Sequence, residues 1–224
     1  MKWRGKAVVS VARVLRSGVS HVKGRLTLTT GSGIFAILTF LSLGAASYAR
    51  YPAAFSVTKN WLSDLGNQTL NPRGAAIFQV DAILVGLLIG LFFVGLAVWR
   101  KRQRIRTRIF ISCSQAFGLV SGLAIAMTGV FSEGLHSSHA IWACIFFISS
   151  GAAVFLSGLA FLHHRMPLKK LTYLAFPLAI LEWVLAALSR IHVLEWVVVA
   201  LLLLYFASVA VGTSAVAAGT MSVS

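Results

Sequence analysis

Three titratable side chains in one short segment are spaced for metal chemistry. Glu133, His136 and His139 lie three residues apart, so on a helical turn they would share one face. Carboxylate and imidazole groups are common ligands of divalent zinc in proteins. Asp64, from a second polar segment, would add a further ligand. The favoured interpretation is a hydrogen-bonded clasp between the two segments, and the alternative is a divalent metal (zinc) site formed by these four residues.

The second polar segment carries a dense cluster of hydrogen-bonding side chains around Asp64. Asn60, Ser63 and Asn67 flank this residue, which is more polar groups than one helix cap requires. The cluster is therefore predicted to contribute to a ligand-binding pocket. With a metal-activated water, the same residue types would also serve a hydrolase.

Two further carboxylates, Asp81 and Glu182, stand inside long apolar stretches. At the helical rise per residue they lie about 9 Å and about 12 Å from the ends of those stretches. A charge at the centre of a membrane span costs about 2.5–3.5 kcal/mol on insertion scales, so such residues usually face a polar interior and a partner. Arg73, Arg190 and His192 are the predicted partners, and the alternative is a shared pocket or proton relay.

The elements that must position these groups are apolar helices. Of the 224 residues, 58% are hydrophobic and 11% are charged, against about 25% charged in a typical soluble domain. A helix that crosses a membrane needs about 20 mostly apolar residues. Such stretches cover residues 33–49, 75–99, 109–131, 139–162, 171–189 and 193–216. The sequence predicts an all-α, polytopic six-helix transmembrane bundle, and the composition excludes a disordered chain.

The chain divides into three predicted regions. Residues 1–32 form a basic cytoplasmic leader, residues 33–216 form the six-span membrane domain, and residues 217–224 form a short tail.

The distribution of charge predicts the orientation of the bundle. Lys and Arg number 20 against five Asp and Glu, a net charge of +15. Sixteen of these basic residues fall in the leader and two loops on one side, and four fall on the other side. By the positive-inside rule both termini are cytoplasmic, in a multi-pass protein of the cell membrane. All five acids then lie toward the extracytoplasmic side.

The basic loops have a membrane interpretation as well. In a soluble protein this charge would indicate nucleic acid, but here no nucleic-acid partner is expected because the basic residues separate apolar spans. Each Lys or Arg near an anionic leaflet contributes about 1 kcal/mol of attraction. Membrane lipids are the expected partners, although the charges also suffice simply to set the topology.

Several short motifs follow one another in order along the chain. They are Ser63-Asp64-Leu65-Gly66, Asn71-Pro72, Phe78-Gln79, Phe131-Ser132-Glu133, and His139 with Phe146-Phe147. This order resembles the uncharacterised prokaryotic membrane-protein family called domain of unknown function 998, over residues 34–215. Gln79 stands where that family has Asn, and Ser132 where it has Pro. More distantly, the first motif is similar to the FRAG/DRAM/Sfk membrane proteins.

The resemblance implies a six-span membrane protein and no established activity. It also implies that Ser63, Asp64, Glu133 and His139 are the signature polar residues of the family.

Three functions are compatible with these groups. The first is a membrane protein whose extracytoplasmic polar pocket binds lipid headgroups or another small ligand. The second is a metal-dependent intramembrane lipid hydrolase, and the third is a proton-coupled carrier. The ligand-binding candidates are Asn60, Ser63, Asp64, Asn67, Asp81, Glu133, His136, His139 and Glu182. The carrier is disfavoured because no acid lies in the cytoplasmic half, where a transmembrane proton path would need one.

Overall fold

The computed structural model describes residues 26–100, 103–162, 173–188 and 191–218. These residues form six α-helices and no β-strand. The helices are α1 (Leu28–Tyr48), α2 (Ala75–Gly95), α3 (Ile105–Val130), α4 (His136–Phe161), α5 (Ala175–Leu188) and α6 (His192–Ala217). Short 3-10 helices cover Leu62–Gly66, Leu96–Arg100 and Glu133–Leu135. The predicted all-α class is confirmed.

Helices α1, α2, α3, α4 and α6 are each long and apolar enough to cross a membrane. In the described part of the chain α5 has 14 residues, and the predicted span 171–189 extends beyond it into residues outside the described ranges. A membrane protein with several spanning helices is therefore confirmed. The count of six spans and the orientation of the bundle stay predictions.

The first helix begins earlier than the hydropathy pattern predicted. Thr27 caps α1 by accepting a hydrogen bond from the backbone N–H of Thr30 at 3.1 Å. The Thr29 and Thr30 hydroxyls donate to the carbonyls of Phe92 and Ala210, so this polar first turn is satisfied inside the bundle. The rest of the predicted leader, 1–25, and the predicted tail from 219 onward lie outside the described residues.

The helices pack as a bundle in which α2 is central to the first half. It packs against α1 on one side and α3 on the other, while α4 packs against α3 and α5, and α6 packs against α1. Where α2 crosses α3, a Cβ on Gly86 would lie 2.5 Å from the carbonyl oxygen of Gly122. Because real Cβ atoms do not approach an oxygen so closely, the crossing depends on glycine.

The connections separate the charges between the two ends of the bundle. Asp64, Glu133 and Glu195 lie at the end where α1 joins α2, α3 joins α4 and α6 begins, which we call the acidic end. Arg104, Arg106 and Arg108 are exposed at the opposite, basic end.

The glycine crossing gives a first prediction. Gly86→Ala should lower the thermal unfolding midpoint of the purified protein, since overpacking of this kind typically costs about 1–3 kcal/mol. Gly90→Ala, one turn further along α2, is the matched control. Its methyl would approach nothing closer than Leu119, at 3.7 Å.

Alanine is a better helix former than glycine by about 1 kcal/mol, so the control should match or exceed the wild-type midpoint. Both midpoints are measured in one detergent by scanning fluorimetry. A Gly86→Ala midpoint as high as that of Gly90→Ala would show that α2 and α3 do not cross on backbone contact.

Candidate ligand-binding site at the acidic end

Asp64 organises the loop between α1 and α2. Its side chain is 6% exposed, and Oδ2 accepts hydrogen bonds from Asn60 Nδ2 at 3.2 Å and from the Trp61 backbone N–H at 3.0 Å. These bonds cap the 3-10 helix Leu62–Gly66. Asp64 and Asn60 were both predicted to bind ligand, but their side chains form hydrogen bonds within the loop. Neither residue lines the two cavities described below.

A buried polar network fixes this loop to the helices below it. Asn71 is fully buried, and its Nδ2 donates to Ser47 Oγ at 3.0 Å and to the Leu65 carbonyl at 2.9 Å. Ser47 Oγ in turn donates to the carbonyl of Gly74 at 3.0 Å. Asn71 therefore holds the turn before α2, which begins at Ala75. No sequence signal separates Ser47 from the other small residues of α1.

Two carboxylates from other segments bind the same loop. Glu195, at the start of α6, accepts a hydrogen bond from the Leu62 backbone N–H at 2.6 Å. Glu133 accepts one from Asn67 Nδ2. The hydrogen-bonded clasp predicted between the two polar segments is present, and Glu195 extends it to a third. Sequence reasoning did not include Glu195 in the site, although its place in the first turn of a span, beside a tryptophan, was a usable signal.

The two histidines of the α3–α4 connection face different partners. His139 Nδ1 lies 2.9 Å from the Phe131 carbonyl oxygen, so this nitrogen is the donor of that bond and Nε2 is left for another partner. His136 Nδ1 lies 3.8 Å from Glu133 Oε1, but the His136 side chain is 87% exposed. An ion pair so exposed contributes little to stability.

The predicted metal ligands are not brought together as a set. Among the residues that the structure describes, no group of three or more His, Cys, Asp or Glu is arranged to hold a metal ion. The physical reason is that these side chains have separate surroundings. Asp64 caps a 3-10 helix, His139 is bonded to a carbonyl, and His136 extends toward solvent.

A narrow apolar cavity of about 110 Å³ begins beneath the loops. Its polar lining at the loop end includes Ser63, Glu133, His139 and Glu195, which we call the neck. Its walls are apolar and include Phe40, Phe78, Ile89, Phe146, Phe147 and Phe206. Along α6, roughly three helical turns or about 16 Å separate the neck from Phe206. The cavity therefore extends from the acidic end into the middle of the bundle.

A wider and more open cavity of about 500 Å³ adjoins the narrow one. The two share all four neck residues together with Ala143 and Phe147. Trp61, His136 and Cys144 line only the wider cavity. Because the lining residues are shared, the two cavities meet at the neck, and the wider cavity has the larger share of polar lining.

The two carboxylates inside helices have different surroundings. Asp81 is 1% exposed, lines the narrow cavity, and has no hydrogen-bond partner for Oδ1. Glu182 is fully buried in α5 and accepts a hydrogen bond from Ser150 Oγ at 3.3 Å. It lines neither cavity. The structure therefore does not place the two acids in one pocket.

The predicted basic partners of these acids have other positions in the described residues. Arg73 is exposed at the surface. The His192 ring packs against Trp61, with centroids 4.3 Å apart. The third predicted partner, Arg190, lies outside the described residues.

Burial raises the pKa of the Asp64 carboxyl, and the nearby Glu133 carboxylate raises it further, while the hydrogen bonds from Asn60 and Trp61 oppose the shift. A raised native pKa means that the folded protein binds more protons than the unfolded chain. The contribution of Asp64 to stability is therefore greatest below the ordinary aspartate pKa of about 3.9, and it falls as pH rises through the raised value.

The direction in which the contribution of Asp64 to stability changes with pH gives a second prediction. As pH rises from about 4 to about 7, the thermal midpoint of Asp64→Asn should increase relative to that of the wild type, because the variant lacks the buried titrating group. Gln68→Ala, at an exposed position in the same loop, is the control and should keep a constant offset. If the thermal midpoint of Asp64→Asn, relative to that of the wild type, stays constant or falls over this pH range, the raised pKa of Asp64 is contradicted.

Comparison with known proteins identifies the family. No curated protein and no solved structure matches the chain significantly, and the more distant similarity to FRAG/DRAM/Sfk proteins stays a prediction. Residues 34–221 match the family described as "Protein of unknown function (DUF998)". This range contains the polar loops and the described α2 to α6, and the protein therefore belongs to the DUF998 family.

Proposed function

We propose that this protein is a membrane-embedded binding protein for an amphiphile. The headgroup occupies the wider cavity and the neck, and the hydrocarbon chain enters the narrow cavity. The observation that carries this proposal is the junction, at a shared set of residues, of a wider and more open cavity that has the more polar lining with a narrow cavity that has apolar walls. Ligand sites of this kind combine apolar walls with a few placed polar groups.

The narrow cavity suits a single hydrocarbon chain. Phenylalanines and aliphatic side chains from α1, α2, α4 and α6 line it, and each methylene buried from water contributes about 0.8 kcal/mol. Such apolar cavities favour an apolar occupant over water.

The neck supplies groups that can bind a headgroup. Ser63 offers a hydroxyl, Glu133 and Glu195 offer carboxylate oxygens, and His139 offers Nε2. Glu133 and Glu195 each also hold the loop above the cavity. A headgroup that binds at the neck is therefore in contact with the same side chains that fix the roof of the site.

The predicted orientation of the bundle determines the leaflet from which the ligand would enter. With the acidic end extracytoplasmic, as the positive-inside rule predicts, the ligand enters from the outer leaflet. Arg104, Arg106 and Arg108, exposed at the basic end, then face the anionic lipids of the cytoplasmic leaflet. The lipid-hydrolase and carrier functions have no separate observation in their favour, since no group of three or more His, Cys, Asp or Glu in the described residues is arranged to hold a metal ion and the two buried acids do not share a cavity.

The third prediction is that blocking the neck removes the ligand. Ala143 lines both cavities where they meet, and Ala143→Leu should reduce binding at least tenfold by filling that space. Ala116→Leu, at an exposed position on α3, is the matched control and should bind as the wild type does.

The measurement uses protein in phosphatidylcholine nanodiscs with added 1-monododecanoylglycerol, a neutral single-chain probe, counted on the protein by native mass spectrometry. Thermal midpoints confirm that both variants are folded. Equal retention of the probe by Ala143→Leu and Ala116→Leu would overturn the proposed site, as would the absence of probe on the wild type.

A further inference from the structure

The side chains that line the two cavities reverse the charge balance of the sequence, whose net charge is +15. Three of its five carboxylates, Asp81, Glu133 and Glu195, line them. Among the described residues that line either cavity there is no Lys and no Arg. Among these described lining residues the other nitrogen bases are the imidazoles of His136 and His139. The lining thus holds acidic side chains in a chain that is basic as a whole, which favours a positively charged ligand group over a negative one.

Asp81 is the carboxylate placed for that selection. Glu133 and Glu195 have protein donors of their own, whereas Asp81 Oδ1 has none although the residue is 1% exposed. Asp81 lines the narrow cavity less than one helical turn beyond Gln79, whose side chain donates to the carbonyl of Gly66 in the loop above. Burying an acceptor without a donor costs free energy. A ligand that donates a hydrogen bond to Asp81 Oδ1 would remove this cost.

We propose that the bound amphiphile carries an ammonium group, and that Asp81 binds it. The ligand class is a single-chain primary amine or amino alcohol, with hydroxyls, where present, bonded at the neck. This inference rests on the proposed function and names the substrate class of the same site.

Other headgroups fit the charges less well. A phosphate or carboxylate would meet three carboxylates and no Lys or Arg in the described lining. A neutral hydroxyl could donate to Asp81 but would leave the carboxylate without an opposite charge, whereas an ammonium group supplies both the donor and the charge. The geometry therefore ranks an amine first, an alcohol second and an anion last.

The test compares three probes that share one chain: radiolabelled dodecylamine, dodecanol and dodecanoic acid. Each is titrated onto protein in phosphatidylcholine nanodiscs, and empty nanodiscs give the correction for membrane partitioning. The wild type should bind the amine about tenfold or more tightly than the alcohol, because only the amine brings an opposite charge to Asp81, and should bind the acid most weakly.

Asp81→Asn keeps the side-chain shape and removes the charge. It should lose about tenfold or more in amine affinity while its affinity for the alcohol is unchanged. Glu182→Gln is the matched control, because Glu182 is also a buried carboxyl with an unpartnered oxygen but lies outside both cavities. It should bind all three probes as the wild type does.

The outcomes separate this inference from the proposed function. If alcohol and amine bind equally to the wild type, or Asp81→Asn keeps its amine affinity, the ammonium assignment is overturned and the amphiphile site stands. If none of the probes binds above empty nanodiscs, both are overturned. The wild-type preference needs no variant, so the inference is testable even if Asp81→Asn does not fold.

Discussion

The structure of the acidic end depends on carboxylates that bind backbone and amide N–H groups of one loop. The loop between α1 and α2 contributes few buried apolar residues, and Asp64, Glu133 and Glu195 hold it from three different segments. Hydrogen bonds to charged groups are among the stronger ones in proteins. They fix the backbone of the 3-10 helix Leu62–Gly66 over the bundle, and this places Ser63 at the neck. Without them the two cavities would have no common roof.

The five acids therefore divide into those that accept hydrogen bonds from the loop between α1 and α2 and those that keep a buried oxygen without a donor. Asp64 has two donors from its own loop, and Glu133 and Glu195 each have one from the same loop. Asp81 and Glu182 each keep a buried oxygen without a donor. Burying such a group costs free energy unless a partner satisfies it. Of these two only Asp81 lines the narrow cavity, so its unpartnered oxygen is the one that the proposed ligand could satisfy.

The spans could be predicted because a membrane forces backbone groups into helices and leaves hydropathy as a direct signal. Helix α6 runs from His192 to Ala217, against a prediction of 193–216. Alternating topology also predicted that the acidic loops would meet. The partners of single side chains could not be predicted, because they depend on the path of the loop backbone. His139 was a candidate for a metal site or a clasp between the loops, yet its Nδ1 bonds the carbonyl of Phe131 in its own connection.

The aromatic residues at the end of the narrow cavity farthest from the neck bear on whether the proposed site holds its ligand or conducts it across the bundle. Phe206 lines the cavity and packs edge-on against Phe92 with ring centroids 4.7 Å apart, and Phe92 in turn packs edge-on against Phe93. Both partners are at most 1% exposed, and fully buried Trp99 follows toward the basic end. These packed rings lie between the cavity and the basic end, so the proposed ligand would enter and leave at the acidic end. That geometry favours a protein that holds its ligand within one leaflet over one that carries it across the membrane.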